Sequence, residues 1–142
     1  MRAVLSNSLS VIVIGKNSSL TISECISCIK QSIKESGFFK TYEIVYVDSN
    51  SNDSSVFIAK EMGATCIEIV DGYTTASLGR NLGAFHSSYD NLLFIDSDMY
   101  LDKYWLVDSI NAYKKYRALI GERHERLYSN NKVIKNIPKF YK

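Results

Sequence analysis

Three runs of this chain share one plan: a stretch of β-branched and other apolar residues ends abruptly in a glycine or a carboxylate. They are residues 9–14 (LSVIVI) before Gly15, residues 42–47 (YEIVYV) before Asp48, and residues 92–95 (LLFI) before Asp96. Short, nearly continuous apolar runs of this kind predict strands buried on both faces of a sheet. A fourth strand is predicted over residues 65–70.

The segments between them carry a different period. Ile22, Cys25, Ile26, Ile29 and Ile33 recur at helical spacing, preceded by Thr21 and Glu24 in capping-box order and followed by Gly37. Residues 53–62 form a second helical segment, with Asp53 or Ser54 able to cap it and Gly63 to close it. Leu78, Leu82, Ala84 and Phe85 suggest a short helix. Trp105, Leu106, Ile110 and Tyr113 suggest another, within residues 103–116. Residues 118–121 offer a possible fifth strand. Strands alternating with helices predict an α/β fold, a mostly parallel sheet with helices on both faces.

Ligands of such sheets bind outside the carboxyl ends of the strands. The turns there are Gly15-Lys16-Asn17, Asp48, Asp71-Gly72 and Asp96-Ser97-Asp98, and Arg80 lies in the segment after the third strand. If strand geometry continues through Asp98, Asp96 and Asp98 face the same way. Two carboxylates on one site repel each other unless a cation offsets them, and their hard oxygens suit Mg2+ or Mn2+. A guanidinium such as Arg80 can hold a phosphate through two hydrogen bonds. Asp48 and Asp53 could equally serve as turn or helix caps.

The 142 residues predict one domain with a core of its own. No apolar stretch approaches the roughly 18 residues of a membrane-spanning helix, and the N-terminal run reads as a strand rather than a signal peptide. Cys25, Cys28 and Cys66 fit a reduced, cytoplasmic setting, and Cys25 and Cys28 fall inside a helical pattern, where they read as packing residues. Charge is uneven. Residues 1–122 hold 11 basic and 14 acidic side chains, whereas residues 123–142 hold six basic and one acidic. That basic tail reads as a solvated terminus set apart from the domain at 1–122. Its interleaved aromatic and aliphatic residues could also touch anionic lipid at the cytoplasmic membrane surface. No nucleic-acid partner is expected.

The segments SVIVIGKNSS, EIVYVDSNSNDSS, ASLGRNLGAF and LLFIDSDMYLD occur in an order and spacing that resembles family-2 glycosyltransferases of the GT-A fold, over about residues 9–122. The resemblance implies a Rossmann-like, truncated GT-A domain that binds a nucleotide-diphosphate sugar, usually a UDP-sugar, with Mn2+ or Mg2+. It assigns Asp48 to the base and Arg80 to the diphosphate. Asp96 falls to the ribose or donor sugar, Asp98 to the metal, and Val13, Ile14 and Gly15 to backbone contacts with the nucleotide. Asn81 and Gly83 read as structural, with Gly83 allowing close helix packing.

The acceptor-binding half of the family is short or missing in this sequence, and neither Glu122 nor Glu125 stands in the context of the family's catalytic base. The catalytic base and the acceptor (a saccharide, a lipid-linked saccharide or a protein) are therefore unassigned. The alternative to an enzyme is a nucleotide-sugar-binding or partner-interaction module without a base. A truncated sheet would leave an apolar patch and favour a homo-oligomer or a partner chain. A haloacid-dehalogenase-type phosphatase fits less well, because Tyr100 occupies a position where that motif carries Thr or Val. A dinucleotide-binding dehydrogenase is disfavoured because no G-x-G-x-x-G follows the first strand.

Overall fold

The computed structural model of the chain describes residues 5–70, 72–113, 115, 116 and 118–121, and the backbone of two strands at 123–129 and 132–139. The elements run β1 (Ser8–Gly15), α1 (Ile22–Ser36), β2 (Thr41–Asp48), α2 (Ser55–Glu61), β3 (Thr65–Glu68), α3 (Ala76–Phe85), β4 (Leu92–Asp96), α4 (Trp105–Tyr113), β5 (Arg123–Ser129) and β6 (Lys132–Lys139). The first four strands form one sheet in the order β3-β2-β1-β4, and every pairing in it is parallel. The α/β architecture expected from the alternating patterns is the one observed.

Each face of the sheet has its own core. Leu9, Val11 and Val13 of β1 point to the side carrying α1, α2 and α4, where they pack with Ile22, Cys25, Ile26, Ile29, Tyr46, Ala59 and Leu106. Ile12 and Ile14 point to the other side, with Val45, Val47, Ile67 and Leu82. Period-two alternation along β1 therefore fills both layers, which is why its sequence is apolar at nearly every position. On the second face α3 is the covering helix, seated over β1 and β2. Gly83 makes that approach possible. A Cβ there would run into the Ile12 side chain and come within 3.2 Å of Val47 Cγ2.

Coverage by α3 does not extend across β4. Leu92 and Phe94 lie on the α3 side of that strand, by their register with Ser10 and Ile12, and remain 38% and 42% exposed. Phe94 and Tyr42, expected in the core, are thus surface residues, whereas Tyr46 is fully buried. The expected cap of α1 also differs. Thr21 holds the N-cap position, but its hydroxyl donates to the Ser18 carbonyl at 3.3 Å and makes no cap bond, because the chain enters α1 through a backbone turn on that carbonyl. Gly37 closes the helix with φ +58°, as its sequence position predicts. Residues 118–121 are not a strand. Gly121 instead lies against the Trp105 indole, with room there for no Cβ. The tail read as a solvated terminus pairs as an antiparallel hairpin, β5 with β6.

Glu43 fastens the connection between α3 and β4 to the sheet. Its Oε1 accepts from Ser10 Oγ at 2.6 Å and from Ser88 N at 2.5 Å, and its Oε2 accepts from Ser88 Oγ at 3.0 Å. Burial pushes this carboxyl up, but the hydrogen bonds from Ser10 and Ser88 outweigh it and hold it below its ordinary 4.5. Its stabilising contribution is therefore complete above that value and is lost as pH falls through the lowered one. Glu43→Gln is expected to be less stable at neutral pH by about 1–2 kcal/mol. The gap to the unmodified chain should shrink in guanidinium titrations at about pH 3. A gap independent of pH would show that Glu43 is not held as its carboxylate.

Candidate donor-nucleotide site

The parallel registers bring three strand ends into line. Gly15 pairs with Asp48 and Ile14 pairs with Asp96, so the carboxylates ending β2 and β4 flank the end of β1. The backbone binds the following turns to β1 as well. Ser49 N donates to Gly15 O, and Ser97 N donates to Ile14 O, each at 2.9 Å. Ile14 and Gly15 thus act in this structure as the seat on which both turns rest.

Asp48 is 2% exposed, a rare position for a carboxylate, and its acceptors are well used. Tyr46 OH donates to Oδ1 at 3.1 Å, Ser51 Oγ donates to Oδ1 at 2.5 Å, and Ser51 N donates to Oδ2 at 2.7 Å. Burial, and then the Asp48 charge, push the Tyr46 phenol up to about 12, so it stays a donor at all ordinary pH. Oδ2 retains an acceptor direction beyond its bond to Ser51. Asp53 serves as a turn anchor. It accepts from Ser55 N at 2.9 Å, from Ser55 Oγ and from Ser19 N at 3.0 Å, and the Ser55 bonds hold its carboxyl well below the usual carboxylate range.

Arg80 and Asp96 find each other across the sheet edge. Thr75 Oγ1 accepts from Leu78 N at 3.1 Å and sets the start of α3, and Gly79 lets the helix come down onto Ile14. At the next residue, Arg80 Nη2 donates to Asp96 Oδ1 at 2.7 Å. The pair is partly open, with side chains 41% and 35% exposed. One cation that offsets Asp96 in this structure is thus Arg80.

β4 ends at Asp96, where Met99 N donates back to Asp96 O at 2.9 Å and turns the chain. Strand geometry stops at Asp96, so Asp98 lies in the turn beyond it, where Ser97 is buried and Asp98 is exposed. Among the described residues no three His, Cys, Asp or Glu side chains gather to hold an ion. A hard cation at this turn would take Asp98 and complete its shell with oxygens of a ligand and water, the usual manner for Mg2+.

The remaining candidates separate clearly. Cys25 is buried beneath the β4 turn, and burial pushes its thiol up to about 12, which leaves no reactive thiolate. Asp71 and Glu122 lie outside the described residues, as does the side chain of Glu125. Sequence reasoning missed Tyr46, Ser51, Ser18 and Ser97 as parts of the site. The i, i+2 spacing of Tyr46 and Asp48 on one strand was the available signal for the first.

The profile described as Glycosyl transferase family 2 matches residues 10–141. The chain belongs to that family. The match continues through the hairpin, beyond the boundary at residue 122 that composition suggests. No curated protein matches the chain significantly by sequence. Among solved structures, the 1–349 portion of S. aureus TarS is similar at 23% identity and a TM-score of 0.64, covering 78% of this chain and 33% of that one. The same portion has been solved with UDP and with UDP-GlcNAc. Glucosyl-3-phosphoglycerate synthase from Mycobacterium tuberculosis, solved with Mn2+, UDP and glucosyl-3-phosphoglycerate, is similar at 26% identity and a TM-score of 0.54. That match covers 72% of this chain and 39% of the synthase. This family-2 chain therefore spans about a third of the length of the structures it matches, with the GT-A fold in common.

Proposed function

We propose that the chain binds the donor of a glycosyl transfer, a nucleotide-diphosphate sugar with UDP as its nucleotide, and that a divalent cation, Mn2+ or Mg2+, binds with it. The observation that carries this reading is the grouping of Asp48, the Arg80–Asp96 pair and Asp98 along one sheet edge, at the ends of β2, β1 and β4. Family membership and the Mn2+–UDP complex of the synthase support the nucleotide and the metal. In the reaction an acceptor hydroxyl gives up its proton to a general base and attacks the anomeric carbon, the bond from that carbon to the diphosphate breaks, and UDP departs with that bond's electron pair.

Asp48 accepts from the base through Oδ2, held in place by Tyr46 and Ser51. Ile14 and Gly15 present backbone to the nucleotide. Asp96, oriented by Arg80, accepts from a hydroxyl of the ribose or sugar, and Arg80 uses its remaining N–H groups on the diphosphate. Asp98 would hold the metal, whose charge favours a departing diphosphate. Because among the described residues no three candidate ligands gather with Asp98, metal binding is expected to depend on the nucleotide. Calorimetry should show no Mn2+ binding by the chain alone, UDP binding strengthened by Mn2+, and loss of that strengthening in Asp98→Ala. Equal UDP affinity with and without Mn2+ would contradict the role of Asp98.

A further inference from the structure

Ser97, the middle residue of the Asp96-Ser97-Asp98 turn, points inward while its neighbours point out. It is 4% exposed, and its hydroxyl lies 2.6 Å from that of Ser18, itself 7% exposed, in the turn after β1. Ser18 is held from its other side, where its N–H donates to Ser55 Oγ at 2.6 Å at the start of α2. In the same turn Asn17 donates its N–H to Ser51 Oγ at 2.7 Å, and Ser51 donates through its N–H and its hydroxyl to Asp48. A chain of polar contacts therefore runs from the turn carrying Asp98, through Ser97, the Asn17-Ser18 turn and Ser51, to Asp48.

The space for this contact is made by Gly15. A Cβ on that residue would lie 2.7 Å from Ser18 Oγ and 2.8 Å from Ser97 Cβ, so any side chain there would force the two serines apart. Among the described residues no buried side-chain N or O lacks a partner. Removing either hydroxyl takes away the buried bond that joins the two turns.

We propose that Ser18 and Ser97 are positioning residues that latch the Asp98 turn to the Asp48 side of the site, so that the diphosphate–metal end of the donor and its base are held at one fixed separation. The proposal rests on the donor-site reading above. A ligand that touches only the base side needs no latch, whereas a ligand that spans both ends does. Uridine and UDP with Mn2+ are the two probes that separate these cases.

The test is calorimetry of uridine and of UDP with Mn2+ on the full chain, for Ser18→Ala, Ser97→Ala and the double variant. Folding of each is checked by circular dichroism at the working temperature. Each single change is expected to weaken UDP–Mn2+ binding about tenfold and to leave uridine binding within about twofold. The double variant should be no worse than the singles, because both remove the same contact. Uridine and UDP–Mn2+ affinities falling together in the single variants would overturn the latch in favour of general loosening, and unchanged UDP–Mn2+ affinity would overturn it outright. Failure of the unmodified chain to bind UDP with Mn2+ would instead sink the donor-site reading, and the latch with it. Two single variants on different loops keep the test available if one of them does not fold.

Discussion

Arg80→Ala is expected to weaken UDP binding in the presence of Mn2+ by on the order of a hundredfold, while changing stability by less than about 1 kcal/mol. The two effects separate because of where the pair lies. With both side chains more than a third exposed, the 2.7 Å contact to Asp96 contributes little to folding. The same openness leaves the guanidinium free to reach a diphosphate. Its loss would remove a charge-assisted contact to the ligand and would also leave Asp96 without a neighbouring cation, beside an anionic ligand. Arg80→Lys should recover only part of the affinity, since an ammonium cannot bridge Asp96 and a phosphate with a planar fork. Titrations of UDP at fixed Mn2+, paired with thermal melts, measure both quantities. A large fall in melting temperature with unchanged affinity would make Arg80 a structural residue.

Gly83→Val should be the most damaging substitution on the α3 face, costing about 3 kcal/mol or more and lowering the melting temperature by roughly 10 °C. In an exposed helix a glycine is a defect, and replacing it by alanine stabilises by up to about 1 kcal/mol. At this position the sign reverses. The added carbon would collide with Ile12 and come within 3.2 Å of Val47, two residues of the sheet itself. Neither neighbour can retreat, because both belong to the buried layer that α3 covers. Lifting α3 would also move Arg80 away from Asp96, so nucleotide affinity should fall with stability. Melting followed by circular dichroism tests the claim, and a Gly83→Ala variant more stable than the unmodified chain would contradict the close packing.

Much of the sheet was legible in the sequence because its determinants are local. The LSVIVI run and the IVYV of the second run are buried on both faces as their composition implies, and each strand ends at the glycine or carboxylate that follows its run. The recurrence of Ile22, Ile26, Ile29 and Ile33 marked α1, and Gly83 was readable as a packing glycine. Relations between distant turns were not legible. Arg80 and Asp96 are 16 residues apart, and only the descent of α3 onto Ile14 and Val47 brings them together. Ser18 and Ser97 are separated by 79 residues, in polar turns where no periodicity says which hydroxyl turns inward. The place of Asp98 was open for a related reason: the D-x-D pattern does not say whether strand geometry continues, and one backbone bond, Met99 N to Asp96 O, closes a turn directly after β4. Phe94 was placed in the core because strand periodicity says which side a residue faces and cannot say how far the covering helix extends.

On the donor-site reading, a nucleotide brings a divalent cation to Asp98, just beyond the carboxyl end of β4. Paramagnetic broadening of backbone amide signals by Mn2+ tests it most directly. With UDP present, substoichiometric Mn2+ should broaden the amides of Ser97, Asp98 and Met99 first, and without UDP those signals should be unaffected. Broadening centred elsewhere in the fold, or equal broadening at Asp98 with and without UDP, would contradict the account.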